Sequence, residues 1–174
     1  KLIEKGRIVA TDKNIYFLRK FSDFPFTAIS NVWNDTSGLP NKMYVVQTNE
    51  KIVERCLLMA TDPGDLVLDP TCGSGTTASV SEKWGRRWIT IDTSRIALNI
   101  AKNRLITSVY PFYELYDKEN QDVRQGFEYQ KYQRVSQSTV ANDEINYVNI
   151  FDQPKENTQK MRVAGPFTVE TLQN

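Results

Sequence analysis

Asp65-Leu66-Val67-Leu68-Asp69-Pro70-Thr71-Cys72-Gly73-Ser74-Gly75-Thr76-Thr77-Ala78 sets a short apolar run, an acid, a glycine turn and a helix start in unbroken succession. Leu66, Val67 and Leu68 read as a buried parallel strand. Pro70, which has no N–H for a ladder, ends it. Asp69 then stands at the carboxyl end of a strand, where open α/β sheets bind ligands. Gly73 and Gly75 allow positive φ and close approach of a ligand to the backbone. Ser74 lies between them, and Thr76 and Thr77 are expected to cap a helix whose first N–H groups face the same place.

The chemistry of the ligand turns on Asp69. Gly73, Gly75 and Ala78 match G-x-G-x-x-G/A, so a dinucleotide remains an alternative, as does a merely structural tight turn. A pyrophosphate beside an ionised carboxylate would meet like-charge repulsion with no basic residue in the loop to relieve it. No Lys follows the second glycine, which argues against a phosphate-binding P-loop. S-adenosylmethionine has the opposite pattern, an ammonium group for Asp69 and a carboxylate for the amides of turn and helix.

Arg87-Trp88-Ile89-Thr90-Ile91 reads as the next strand, with Asp92 at its end, where nucleotide-binding folds place an acid against ribose hydroxyls. The competing reading is that Asp92 only opens the next helix. Thr93 and Ser94 can take that capping role and leave Asp92 freer for a ligand. Over 95–105, Ile96, Ala97, Ile100, Ala101 and Leu105 recur at helical spacing, completing a βαβα unit. Upstream, Tyr44-Val45-Val46-Gln47-Thr48-Asn49 leads into a helix with Ile52, Val53, Cys56, Leu57 and Ala60 on one face. Thr61-Asp62-Pro63-Gly64 stops it. Helix capping explains Gln47, Thr48 and Asn49 without any ligand; their closeness in sequence to the glycine loop points to ligand contact instead.

Gln47-Thr48, the helix, Pro63-Gly64-Asp65, residues 66–78 and Gly85-Arg86-Arg87-Trp88-Ile89-Thr90-Ile91-Asp92 together resemble an amino-group DNA methyltransferase of the circularly permuted kind, in which cofactor motifs follow the catalytic ones. The nearest likeness is to adenine-specific methylases related to type III restriction-modification enzymes, over roughly residues 42–107. The resemblance implies an α/β fold: a partial, Rossmann-like S-adenosylmethionine-dependent methyltransferase fold with an N-terminal β-hairpin segment and an irregular C-terminal extension. It implies donor contacts from Gln47, Thr48, Asp69, Pro70, Cys72, Gly73, Ser74, Gly75, Thr76, Thr77, Asp92 and Thr93. Asn49 stands where relatives often carry Lys or Pro. DNA is the implied partner, with a restriction subunit or a homodimer of the parent enzyme as further partners.

Methylating an exocyclic amine needs a flipped base held by stacking and by acceptors, which this family provides with an Asp/Asn/Ser-Pro-Pro-Tyr/Phe/Trp tetrapeptide. None occurs in the sequence; Asp69-Pro70-Thr71-Cys72 is the nearest string and belongs to the glycine loop. In the permuted order the tetrapeptide falls upstream of Lys1. The expectation is a fragment of a longer enzyme, with no catalytic residue of its own and inactive alone. A cytosine-N4 enzyme shares the donor site and is the alternative within enzymes, and a non-catalytic module that keeps the fold is the alternative outside them.

Three segments are expected: 1–41, β-rich, the end of a target-recognition region; 42–108, the cofactor-binding half; and 109–174, a C-terminal extension or the start of a further domain. In the first, Lys1, Lys5, Arg7, Lys13, Arg19 and Lys20 interleave with Tyr16, Phe17, Phe21, Phe24 and Phe26. Both a DNA-contacting surface and an ordinary hairpin over Gly6-Arg7-Ile8-Val9-Ala10-Thr11 and Ile15-Tyr16-Phe17-Leu18-Arg19 fit that pattern. Trp33-Asn34-Asp35 followed by Ser37-Gly38-Leu39-Pro40 reads as a loop leading to the cofactor half, with Trp33 as core rather than a base-stacking platform. Residues 110–160 read as linker with partial elements, Ala141 to Ile150 as a short helix or strand, and 161–170 as strand, turn, strand. The net charge of +1 leaves little electrostatic footprint for DNA overall. No apolar stretch approaches the ~18 residues of a membrane span, so a soluble cytoplasmic chain without membrane contact is expected. Two cysteines and no His make a metal site unexpected and the thiols reduced. Methyl transfer from a sulfonium can proceed without the His that is the commonest general base.

Overall fold

The computed structural model describes residues 1–36 and 47–170. In chain order these form strands β1 (Ile8–Ala10) and β2 (Ile15–Phe17), helix α1 (Glu50–Ala60), strand β3 (Leu66–Asp69), helix α2 (Thr76–Lys83) and strand β4 (Arg87–Thr90). Helix α3 (Arg95–Thr107), strands β5 (Val109–Tyr113) and β6 (Tyr129–Gln133), helix α4 (Gln137–Asn142), and strands β7 (Tyr147–Pro154) and β8 (Glu156–Val163) follow. The expected lead-in at 44–46 and loop at 37–40 lie outside the described residues. Among the described residues no helix is long and apolar enough to cross a membrane.

Two compact units form, Lys1–Asn31 with Tyr129–Gln153, and Val32–Glu128 with Pro154–Asn174. They cut the chain differently from the three segments read along the sequence. The physical reason is pairing at a distance: β8 joins β5 as an antiparallel partner, while β7 joins β6. The C-terminal extension is correspondingly not irregular but carries four strands and a helix. In β8 most side chains are exposed, so little apolar alternation marks it in the sequence. Over 161–170 the strand ends at Val163 and no second strand follows.

In the first unit, β1 and β2 make the expected hairpin, with Val9 opposite Tyr16 and the turn closed by the Thr11 amide on the Asn14 carbonyl at 2.8 Å. The Arg7 guanidinium donates to the buried Asp23 carboxylate at 2.7 Å, and the Lys20 amide donates to the same oxygen at 2.8 Å. Phe26 meets Phe24 and Tyr132 edge to face, and Arg134 lies over Phe24. Lys1 and Lys5 both pair with Asp143.

In the second unit, β3 and β4 run parallel, with Leu66 opposite Arg87 and Asp69 opposite Thr90. That register turns Val67 toward a core of Leu57, Val80 and Trp84, which Val53, Leu58 and Tyr113 complete. Leu66, Leu68 and Ile89 face the other way and are about half exposed, at 52, 62 and 49%. The strand expected to be buried is thus covered on one face only among the described residues. On α1 the buried position is Leu57; Cys56, read from the sequence as part of the packed stripe, is exposed. Glu54 binds α1 to α2 by accepting from the Trp84 indole N–H at 2.6 Å and the Lys83 ammonium at 2.7 Å. Trp33 is held under Arg55, whose guanidinium also grips Asp35 through two bonds of 2.8 Å. Asp35 is thereby held down to a pKa of about 2.

The Arg7 contact holds Asp23 below the usual carboxylate range. A depressed carboxyl stabilises the fold above its ordinary pKa and ceases to do so as pH falls through its folded value. Asp23→Ala is expected to destabilise the first unit by about 2 kcal/mol at neutral pH. Amide exchange at Lys20 and Val135, whose N–H groups bond to the side chain and carbonyl of Asp23, checks this.

Candidate functional site

The turn between β3 and α2 is shaped by three backbone contacts. The Cys72 amide donates to the Ile91 carbonyl at 2.8 Å, the Gly75 amide closes on the Cys72 carbonyl at 2.9 Å, and the Ile91 amide reaches the Asp69 carbonyl at 2.9 Å. Gly75 caps α2 with φ +74, and a Cβ there would lie 2.7 Å from the Cβ of Ala101. Its missing side chain therefore sets both the turn and the approach of α3. Thr76 and Thr77 do not cap the helix as expected. They are its first two residues, since left-handed Gly75 itself takes the cap position and the helix starts one residue earlier than a Thr76 cap would set it.

Asp69 ends β3 half-buried. Its Oδ1 accepts from the Thr71 amide at 2.9 Å and the Thr71 hydroxyl at 3.2 Å, which fixes the rotamer. Its Oδ2 has no hydrogen-bond partner among the described residues. First-turn amides have no acceptor within their own helix, which leaves those of Thr76 and Thr77 for an anion.

Asp92 is less free than the sequence implies. Oδ2 accepts from the Gly73 amide at 2.8 Å and Oδ1 from the Ser94 amide at 2.8 Å. The Ser94 and Gly73 amides hold its carboxyl below the usual range. Ser94, not Asp92, caps α3, taking the Ala97 amide on its hydroxyl. The Gly73 and Gly75 amides are thus occupied inside the protein, but each Asp92 oxygen keeps a lone pair for a further donor.

The Ser74 and Thr76 side chains are buried, 3.3 Å from each other. The Arg104 guanidinium donates to the Ser74 carbonyl at 3.2 Å and the Thr76 hydroxyl at 3.1 Å, and reaches Glu50 at the start of α1. This arginine was not legible as a site residue. The available signal is a basic residue beside the buried stripe Ala97, Ala101 and Leu105. Cys72 is 4% exposed, and burial pushes its thiol up from the ordinary range. Asn49 caps α1 through the Lys51 amide, which leaves Gln47 half-buried and Thr48 exposed just ahead of it. Pro70 and Thr93 are exposed, and Thr77 is half-buried.

Cys72, Asp92 and Thr93 line an open groove of about 1650 Å³ that also takes in Trp88, Lys102 and Phe167. Asp69, Pro70, Gly73, Ser74, Gly75, Thr76, Thr77, Gln47 and Thr48 are not part of its lining. The groove runs along β4 and on to Asp92 and Thr93, whereas Asp69 ends β3 and is outside its lining.

A DNA methylase family profile matches residues 13–103, more than half of the chain. The type II methyltransferase M2.DpnII of Streptococcus pneumoniae is 40% identical over 83 residues, which are 44% of this chain and 30% of that protein. The type II methyltransferase M2.LlaDCHI of Lactococcus lactis subsp. cremoris is 37% identical over 98 residues, 53% of this chain and 35% of that one. The chain spans about a third of the length of these relatives. The solved M1.HpyAVI-SAM complex superposes with a TM-score of 0.38 at 32% identity, over 42% of this chain and 36% of that one.

Two outcomes test this geometry. Gly75→Ala is expected to lower stability by about 2–4 kcal/mol through left-handed backbone strain and the Ala101 contact, read by tryptophan fluorescence in urea. Acid is expected to release the loop. As pH falls below the ordinary Asp value of about 4, toward the lowered one, Asp92 loses its charge and the Gly73 and Ser94 amides lose protection, their exchange approaching the intrinsic rate for that pH. Asp92→Ala should show that loss of protection already at neutral pH.

Proposed function

Because this chain belongs to the DNA methylase family, we propose that it forms the S-adenosylmethionine-binding portion of a DNA methyltransferase acting on adenine N6. The observation that carries this reading is the Asp69 carboxylate at the end of the strand that the glycine turn joins to α2, one oxygen fixed by Thr71 and the other without a partner among the described residues. An acceptor for a cation next to amides for an anion suits the zwitterionic head of an amino acid and opposes a phosphate. Asp69 accepts the ammonium protons, and the Thr76 and Thr77 amides donate to the carboxylate. Asp92, already oriented by two backbone bonds, uses its remaining lone pairs for ribose hydroxyls, with Thr93 beside it. Gln47 and Thr48 flank the methionine end. The donor supplies a methyl on a sulfonium, and these residues hold it still for in-line attack by an amine.

The acceptor base requires groups outside this sequence, which has no Asp/Asn/Ser-Pro-Pro-aromatic tetrapeptide. DNA is the partner that this reading requires. Lys13, Arg19 and Lys20 support contact with it: they form no ion pair among the described residues and are close in sequence to Tyr16 and Phe21, 52 and 87% exposed. Lys1, Lys5 and Arg7, by contrast, are paired internally. Pairing with a restriction subunit or a second copy of the parent enzyme extends the same reading. So does a cytoplasmic setting, in keeping with two free thiols.

Calorimetric titration with S-adenosylhomocysteine is the direct measurement. Binding is expected, weakened about tenfold or more by Asp69→Ala and by Asp92→Ala. Absence of heat from the folded, unmutated chain rejects the donor site.

A further inference from the structure

We infer that Arg104 is a positioning residue that sets the glycine loop against the start of α1; as a statement about donor binding this rests on the reading above. The guanidinium is almost withdrawn from solvent, its side chain 8% exposed. It has three partners on three elements: the Ser74 carbonyl in the turn, the Thr76 hydroxyl at the first residue of α2, and Glu50 at the first residue of α1. Glu50 is itself 56% exposed, so this ion pair alone gives little return for burying the charge. If α3 needed only to fill space here, a leucine or methionine would serve. What the planar fork provides is geometry, because its donors diverge at fixed angles and fix the spacing of the groups that accept from them.

Ala101, one turn earlier on α3, closes against the missing Cβ of Gly75. α3 therefore clamps the turn twice, by packing at Ala101 and by hydrogen bonds at Arg104. Asp92 holds Gly73 in the same turn. Of these holds, only Arg104 also reaches α1, where Glu50 follows Gln47 and Thr48 by three and two residues. Its removal frees the turn and uncouples it from that segment while leaving the core of Leu57, Val80 and Trp84 in place.

The test uses the full chain and the variants Arg104→Met, Arg104→Lys and Glu50→Gln, with two readouts: S-adenosylhomocysteine affinity by calorimetry, and amide exchange at Gly73 and Gly75, whose N–H groups are bonded inside the protein. Arg104→Met is expected to keep its thermal midpoint, bind about tenfold or more weakly, and exchange those amides about tenfold faster. Glu50→Gln, which keeps the loop contacts, should stay within about twofold on both. Arg104→Lys keeps charge but not the fork and should resemble Arg104→Met. Loop exchange at the wild-type rate in Arg104→Met overturns the positioning role, whatever the calorimetry shows. If that variant unfolds, the same result in Arg104→Lys overturns it. No heat from the unmutated chain removes the donor reading alone, since the exchange comparison still decides for or against Arg104.

Discussion

The carboxylate of Asp92 receives one amide from the glycine turn and one from the turn that starts α3, and the site depends on that bridge. Where β3 and β4 end, two further backbone bonds, Ile91 amide to Asp69 carbonyl and Cys72 amide to Ile91 carbonyl, carry the pairing into the turns, and the ladder stops there. A short charged acceptor placed between them makes two charge-assisted bonds where the backbone would otherwise have unmet donors. The consequence for function is double. The bridge orients Asp92, and it withdraws the Gly73 amide from any ligand.

From the other side, α3 supplies Ala101 and Arg104 to the same turn. A glycine-rich segment loses more conformational entropy on ordering than any other, and one that must present amides to a small ion has to be ordered beforehand. Here the order comes from neighbours instead of from the segment itself. Asp69 stands in the same turn with one oxygen fixed by Thr71 and no partner for the other among the described residues.

The parallel β3–β4 pair shows how a strand can be legible while its covering is not. Its inner face packs on α1 and α2, and its outer face presents Leu66, Leu68 and Ile89 half exposed. An uninterrupted apolar run reports that a strand is suited to burial on two faces. Whether both faces are covered is a property of what surrounds it.

Much of this could be read from the residues alone. Leu66 to Asp69 had to be a strand and Pro70 its end; glycines had to turn the chain; 95–105 had to be a helix; and Asp69 and Asp92 had to stand at strand ends. These follow from backbone sterics and periodicity, which act over a few residues. Four matters were decided only when distant parts met: that Asp92 faces two amides, that Ser74 and Thr76 turn their side chains inward, that Arg104 joins three elements, and that 109–163 is strand-rich. Most of these contacts join groups far apart in the chain, such as Arg104 and Glu50 or Pro111 and Met161. Hydrogen bonds and strand pairing at that range leave no local period in the sequence, because their partners are chosen by the fold.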